Sequence, residues 1–175
     1  MKSFFGEIEG TGFEILEEEF ESCLTGHGRV ERLWTGARWV EGPVWFPAGR
    51  FLVFSDIPNN RMLRWDETNG HVSEFRNPSN FSNGNTRDLQ ARLITCQHLS
   101  RSVTRTEHSG EVTTLASQYD GKRLNSPNDV IVKSDGSIWF TDPDYGIMSD
   151  YEGRKSPNEQ SSCNVFRIDQ KTGNI

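Results

Sequence analysis

The chain has 175 residues, enough to bury the core of one ordinary domain. Its 25 acidic and 19 basic side chains give a formal net charge of −6, and the basic residues are scattered, which argues against nucleic acid as a partner. No apolar run is long enough to span a membrane, and residues 1–12 lack the apolar core of a secretory signal, so we expect a cytoplasmic protein with no membrane partner. Three cysteines without metal-binding spacing are expected to be reduced thiols.

Residues 1–28 differ in composition from the rest of the chain. Apolar residues alternate there with a run of glutamates between residues 14 and 21. This pattern predicts a short amphipathic helix or an extended arm whose acidic side chains are solvated, and it carries no chemistry. We treat the segment as an N-terminal arm, separate from residues 29–175.

From residue 29 onward, apolar residues recur with a period of about two in short segments bounded by turn residues, which predicts β-strands. The predicted strands cover residues 30–34, 41–46, 51–56, 61–65, 71–75, 93–96, 103–106, 111–115, 130–132, 138–140 and 165–169. Residues 77–85 are rich in Ser and Asn, and their composition alone predicts a loop. Residues 171–175 predict the start of a further turn and strand.

The predicted hairpin in residues 124–146 has polar residues at its outer ends, with Asn128 before its first strand and Asp142 after its second. Antiparallel pairing brings these two ends together. The same arrangement occurs twice earlier, because Glu41 and Asn83 precede their turns by the same number of positions as Asn128. A period of roughly 43 residues with four strands per unit is typical of β-propeller blades. We predict blades at about residues 29–76, 77–120 and 121–175.

In a propeller blade, the start of the inner strand and the end of the second strand lie at the same mouth of the central channel. The residues expected there are Glu41, Asn83 and Asn128 on inner strands, and Asp56, His98 and Asp142 at the ends of second strands. Singly they could be an exposed carboxylate, turn-forming amides or a packing histidine. Together, their oxygen atoms are ligands that suit Ca²⁺, Mg²⁺ or Mn²⁺. The aromatic residues Trp45, Phe54 and Trp139 are expected to pack between blades.

Residues 41–50, 55–65, 83–88, 103–107, 121–130 and 133–146 carry motifs that resemble the senescence-marker-protein, gluconolactonase and luciferin-regenerating-enzyme family, and within it the bacterial gluconolactonases. The resemblance extends from about residue 13 to the end. It implies an all-β, six-bladed propeller, of which about three blades are present here. It also implies a divalent metal ion in the channel, Ca²⁺ before Zn²⁺, Mn²⁺ or Mg²⁺, and hydrolysis of a small-molecule sugar lactone.

The resemblance also implies roles for individual residues. Glu41 and Asn128 are expected to bind the metal ion, and Asn83, His98 and Asp142, together with Asn128, to contact the substrate. The remaining family ligands and the aspartate expected as general base lie in later blades, beyond Ile175. The chain is therefore expected to be an N-terminal fragment that is inactive alone and lacks its C-terminal half as a partner.

The sequence departs from the family pattern in two places, and the first means that the substrate contacts of some animal relatives do not transfer to this chain. Some animal relatives carry a substrate-binding arginine at the position of Ser126, and the bacterial motif Cys-Glu-His-Gly is here Cys96-Gln97-His98-Leu99.

Two other functions remain open from the sequence. The repeat could form an interaction propeller that holds no metal, or the same channel could hydrolyse a phosphoester. Residues 149–162 form a candidate lid over the channel or an idle surface loop.

Overall fold

The computed structural model describes residues 6–7, 15–24 and 30–175. The chain divides into two compact units, Met1–Gly36 and Ala37–Ile175. In the first, strand β1 (Gly6–Glu7) pairs antiparallel with β2 (Glu31–Arg32), and Glu18–Cys23 form an exposed 3₁₀ helix. The predicted strand over residues 30–34 is therefore only two residues long. Residues 1–5, 8–14 and 25–28 of the predicted arm lie outside the described residues.

The second unit is all-β, as predicted, and contains three antiparallel sheets whose strands follow one another in chain order. The first sheet contains β3 (Val40–Phe46), β4 (Phe51–Asp56), β5 (Arg61–Asp66) and β6 (Val72–Arg76). The second contains β7 (Ser82–Arg87), β8 (Leu93–Gln97), β9 (Ser102–Thr106) and β10 (Val112–Ala116). A hairpin of β11 (Gln118–Tyr119) and β12 (Lys122–Arg123) leads to the third sheet, β13 (Val130–Val132), β14 (Ile138–Asp142) and β15 (Asn164–Ile168). A short helix, α1 (Tyr145–Met148), follows β14.

Aliphatic side chains form the packing between successive sheets, which we call blades 1, 2 and 3. Val44, Val53 and Met62 of blade 1 cluster with Leu93 of blade 2. A larger cluster joins blades 2 and 3 through apolar residues that include Ile94. Each such side chain stabilises the fold by about 1.5–3 kcal/mol when it is removed from water.

Trp45 and Trp139, two of the three aromatic residues predicted to pack between blades, remain more than a third exposed, and the third, Phe54, is half-buried. Trp45 instead packs against Trp65 of its own sheet, with ring centroids 6.4 Å apart.

The Ser/Asn-rich segment is a strand, contrary to the loop that its composition predicts. Residues 82–87 form β7, the inner strand of blade 2, and most of them are buried. Their polar groups are satisfied inside the protein, since Thr95 Oγ1 donates to Asn85 Oδ1 at 2.8 Å and Asn85 Nδ2 donates to Ser55 Oγ at 2.9 Å. Composition could not predict this, because the bonding partners are distant in sequence.

Among the residues that the structure describes, no helix has the length and apolar character needed to cross a membrane.

Candidate functional site

The three inner strands share an irregularity where their polar residues lie. The pairing register shifts between Glu41 and Val44 in blade 1, and between Ser82 and Asn85 in blade 2. In blade 3, Asn128 N donates to the Thr141 carbonyl, while Thr141 N donates to the carbonyl of Asp129. Asn128 and Asp129 therefore both lie opposite Thr141, as in a β-bulge, which changes the direction of side chains at the end of a strand.

Close backbone contacts join these bulges from blade to blade. A Cβ atom on Gly42 would collide with the Asn83 carbonyl oxygen, and one on Gly84 would collide with the Asn128 carbonyl oxygen. Gly84 N also donates to that Asn128 oxygen at 2.7 Å. Glu41, Asn83 and Asn128 therefore follow one another at one end of the inner strands, which we call the polar mouth.

Glu41 gives the polar mouth its negative charge. Its side chain is half-buried, and Oε1 accepts a hydrogen bond from Trp39 Nε1 at 2.9 Å. Burial raises the pKa of Glu152, and the nearby charge of Glu41 raises it further. Glu152 is thus a second carboxylate beside the mouth, and sequence reasoning missed it because no local pattern marks a single glutamate in a long connection.

His98 is fully buried and uses both ring nitrogens within the protein. Nδ1 lies 2.8 Å from the Glu152 carbonyl oxygen, and Nε2 lies 3.3 Å from Asn83 Nδ2. Burial lowers the pKa of the imidazole, and the hydrogen bond to the Glu152 carbonyl and then the charge of Glu41 oppose this effect only partly. Both ring nitrogens are therefore engaged within the protein, and the expected contact between His98 and substrate stays a prediction.

The connection between β14 and β15 packs against His98. Gly146 packs directly on the imidazole, and its N–H donates to Ser126 Oγ at 2.9 Å. Arg154 N donates to the Gly146 carbonyl at 3.0 Å, and Gln160 Nε2 donates to carbonyl groups of the β11–β12 hairpin. Residues 149–162, predicted as a lid or an idle surface loop, are thus anchored by hydrogen bonds at Arg154 and Gln160, and we call this connection the wall of the polar mouth.

The strand register corrects the predicted correspondence between blades. Asp56 pairs with Val40, which precedes Glu41, and Gln97 pairs with Ser82, which precedes Asn83. Gln97, rather than His98, is therefore the counterpart of Asp56.

Asp56 and Asp142 do not join the polar mouth. Both are fully buried, and Asp56 accepts hydrogen bonds from Arg38 N at 3.0 Å, Asn59 Nδ2 at 2.7 Å and Arg61 Nε at 2.9 Å. Asp142 Oδ2 accepts from Asn125 N at 2.8 Å, whereas Oδ1 is buried with no partner among the described residues. Asp142 is thus bonded to the segment that leads into β13, and its substrate contact stays a prediction.

The polar mouth offers a divalent cation suitable donors, but few of them. The carboxylate of Glu41 and the amide oxygen of Asn128 are hard oxygen ligands, as Ca²⁺ and Mg²⁺ prefer. Within the described part of the chain, no group of three or more His, Cys, Asp or Glu side chains could hold a metal ion. Glu41 and Asn128 are thus the type of donor that a divalent cation prefers, and they would supply part of its coordination shell.

Residues 39–174 match the family described as the SMP-30/gluconolactonase/LRE-like region. The chain belongs to this family. A gluconolactonase from Zymomonas mobilis is 32% identical over 154 residues, which are 79% of this chain and 42% of that protein. The solved structure of a Xanthomonas campestris gluconolactonase has a TM-score of 0.79 at 42% identity, over 83% of this chain and 48% of that one.

A further solved structure, a structural-genomics target named as a gluconolactonase, has a TM-score of 0.81 at 39% identity, over 87% of this chain and 53% of that one. These likenesses confirm that the three blades form a partial β-propeller. The chain spans about half the length of the relatives it matches.

Proposed function

We propose that this chain contributes the polar mouth of a lactone hydrolase that acts on sugar lactones. The observation that carries the proposal is the contact series from Gly42 to Asn83 and from Gly84 to Asn128, which sets three oxygen-bearing residues side by side. Three relatives of this chain bear the name gluconolactonase, which supports lactones as the substrate class.

The chemistry of the polar mouth suits a neutral molecule with several hydroxyl groups. Carboxylate and amide oxygens accept hydrogen bonds from hydroxyls, and bonds to a charged acceptor are the stronger ones. The two carboxylates, Glu41 and Glu152, disfavour a phosphoester dianion through like-charge repulsion. A phosphoester hydrolase is therefore the weaker alternative.

Glu41 and Asn128 would hold a divalent cation, with Ca²⁺ the first candidate. When bound, such an ion supplies Lewis acidity toward the lactone carbonyl. Because Ca²⁺ takes about 6–8 oxygen ligands, two protein donors would bind it weakly. We therefore expect the 175-residue chain to bind a sugar ring but not to hydrolyse glucono-1,5-lactone faster than the spontaneous reaction.

The test uses 1,5-anhydroglucitol, a neutral sugar ring without an ester, together with glucono-1,5-lactone and 4-nitrophenyl phosphate. We expect 1,5-anhydroglucitol to bind, and Glu41→Gln or Asn128→Leu to weaken it about fivefold or more, since each removes roughly one net hydrogen bond. Absence of binding, or hydrolysis of the phosphoester in place of any interaction with the sugar ring, would overturn the proposed substrate class. Cation-dependent lactone hydrolysis by this chain would contradict the expected inactivity and uphold the substrate class.

Titration calorimetry with Ca²⁺, Mn²⁺, Zn²⁺ and Mg²⁺ tests the cation. We expect weak binding that Glu41→Gln abolishes. Binding that Glu41→Gln leaves unchanged would place the cation elsewhere. If no ion binds, Glu41 and Asn128 contact the sugar alone, which is also what an interaction propeller without metal would show.

A further inference from the structure

The hydrogen bonds around His98 point to a positioning role. We propose that His98 fixes the side-chain amide of Asn83 so that its oxygen faces the polar mouth and accepts a hydrogen bond from a ligand hydroxyl. The identity of the ligand rests on the proposed function, whereas the orientation of the amide does not.

The first step concerns the proton on the imidazole. Nδ1 lies 2.8 Å from the carbonyl oxygen of Glu152. A carbonyl oxygen can only accept, so Nδ1 must carry the proton that is donated. Burial lowers the pKa of His98, which keeps the ring neutral and leaves Nε2 without a proton.

The second step concerns Asn83. An unprotonated Nε2 can only accept, so the group 3.3 Å away must be the Asn83 NH₂ group and not its oxygen. The reversed amide would place two lone pairs against each other in a buried setting, where an unmade hydrogen bond costs about 1–3 kcal/mol. The hydrogen bond that His98 Nδ1 donates to the Glu152 carbonyl therefore determines which way the Asn83 amide points.

The third step concerns the remaining oxygen. Asn83 Oδ1 has no hydrogen-bond partner among the described residues, although the Asn83 side chain is almost completely buried. The main-chain oxygen of Asn83 is already used, because Ser55 Oγ donates to it at 2.7 Å and Asn85 Nδ2 at 2.9 Å. Oδ1 is thus the one acceptor of this residue that is left for a ligand hydroxyl, and Asn83 stands between Glu41 and Asn128 in the contact series.

The arrangement is held rigidly. Gly146 packs on the His98 ring, and Gly153 packs on the Gly146 carbonyl, so that neither position has room for a Cβ atom. The wall therefore holds the Glu152 carbonyl in place. This carbonyl orients the His98 ring, and the ring in turn orients the Asn83 side-chain amide. Such preorganisation lowers the cost of ordering the site when a ligand binds.

A spectroscopic experiment tests the orientation without any ligand. In the ¹⁵N-labelled 175-residue chain at neutral pH, we expect His98 to show the nitrogen shifts of the Nδ1–H tautomer. We also expect a scalar coupling across the hydrogen bond between Asn83 Nδ2 and His98 Nε2. An Nε2–H tautomer or a charged imidazolium would overturn the proposal.

A matched pair of variants tests the consequence for binding. His98→Gln keeps an acceptor near the position of Nε2, whereas His98→Asn keeps a donor near Nδ1 but loses the acceptor. We expect His98→Gln to retain binding of 1,5-anhydroglucitol and His98→Asn to weaken it about fivefold or more. The exposed His108→Asn serves as the control and should leave binding unchanged.

Equal loss in both His98 variants, or no loss in either, would overturn the positioning role. If His98→Asn does not fold, the coupling in the wild-type chain still decides the question. If 1,5-anhydroglucitol does not bind the wild-type chain but the coupling is present, the proposed substrate class fails while the fixed orientation of Asn83 stands.

Discussion

Asp56 and Asp142 end the second strands of blades 1 and 3, yet their pKa values move in opposite directions. Burial would raise the pKa of Asp56, but hydrogen bonds from Asn59, Arg38 and Arg61 together lower it. Asp142 has fewer donors, so burial raises its pKa to about 6. The same position of the repeat therefore has a carboxylate whose ionised form is stabilised in blade 1 and one whose ionised form is destabilised in blade 3.

Replacing Asp142 should change how stability depends on pH. Because the folded-state pKa of about 6 exceeds the ordinary aspartate value of 3.8, Asp142 binds its proton more tightly in the folded protein. Its contribution to stability is fully present below about pH 4 and is lost as the pH rises through about 6, a difference of about 1–3 kcal/mol. In Asp142→Asn this loss should vanish, which urea unfolding at pH 5 and pH 8 would reveal. A variant that loses as much stability as the wild type between these pH values would contradict the assignment.

Replacing Asp56 should have the opposite effect. Its lowered pKa means that its stabilisation is present above the unfolded-state pKa and is lost as the pH falls. Asp56→Asn should cost about 1.5–3 kcal/mol at pH 8, because bonds to a charged acceptor are lost. The measurement is the free energy of unfolding, compared directly with Asp142→Asn. Similar costs for both variants at pH 8 would show that the two carboxylates have the same role.

Gly84 should be intolerant of a side chain. A Cβ atom there would collide with the Asn128 carbonyl oxygen, which is backbone and cannot swing aside. We expect Gly84→Ala to cost about 1–3 kcal/mol in the free energy of unfolding and to weaken binding of 1,5-anhydroglucitol.

Gly110→Ala is the matched control for Gly84→Ala, since a Cβ there meets nothing within 4 Å, although its φ of +90° adds backbone strain. It should lose some stability and keep binding. Equal binding by the two variants would show that the Gly84–Asn128 contact does not shape the polar mouth.

Glu41→Gln should lower the pKa of Glu152. Burial is the larger cause of the raised pKa of Glu152, and the negative charge of Glu41 adds to it. Removing that charge eases ionisation of Glu152, so its pKa should fall toward the ordinary value without reaching it. Titration of ¹³C-labelled glutamate side chains in the presence of a chelator would measure this shift. An unchanged Glu152 would mean that the two carboxylates do not face each other.

The blade pattern could be predicted because period-two strands and repeated turns are local features. The positions of Glu41, Asn83 and Asn128 at the same end of neighbouring strands followed from the repeat. Gly42 and Gly84 each directly follow a polar residue of the site. A glycine at such a position can indicate that the backbone of a neighbouring strand approaches closely, which composition alone does not show.

Other features depend on contacts distant in sequence. Whether His98 faces a ligand or holds Asn83 depends on the Glu152 carbonyl, 54 positions away. The one-residue offset between Gln97 and His98 arises from strand register, which pairing with Ser82 determines. Glu152 lies beside His98 because Gly146 and Gly153, which have no side chains, allow the wall to pack closely on the imidazole ring.

The central claim is that the residues of the polar mouth form one binding site. The most direct test is to map amide shifts of the labelled 175-residue chain during titration with 1,5-anhydroglucitol. We expect the changes to centre on Glu41, Asn83 and Asn128 and their immediate neighbours, and to disappear together in Asn83→Leu. Changes centred on another surface, or unaffected by that substitution, would contradict the claim.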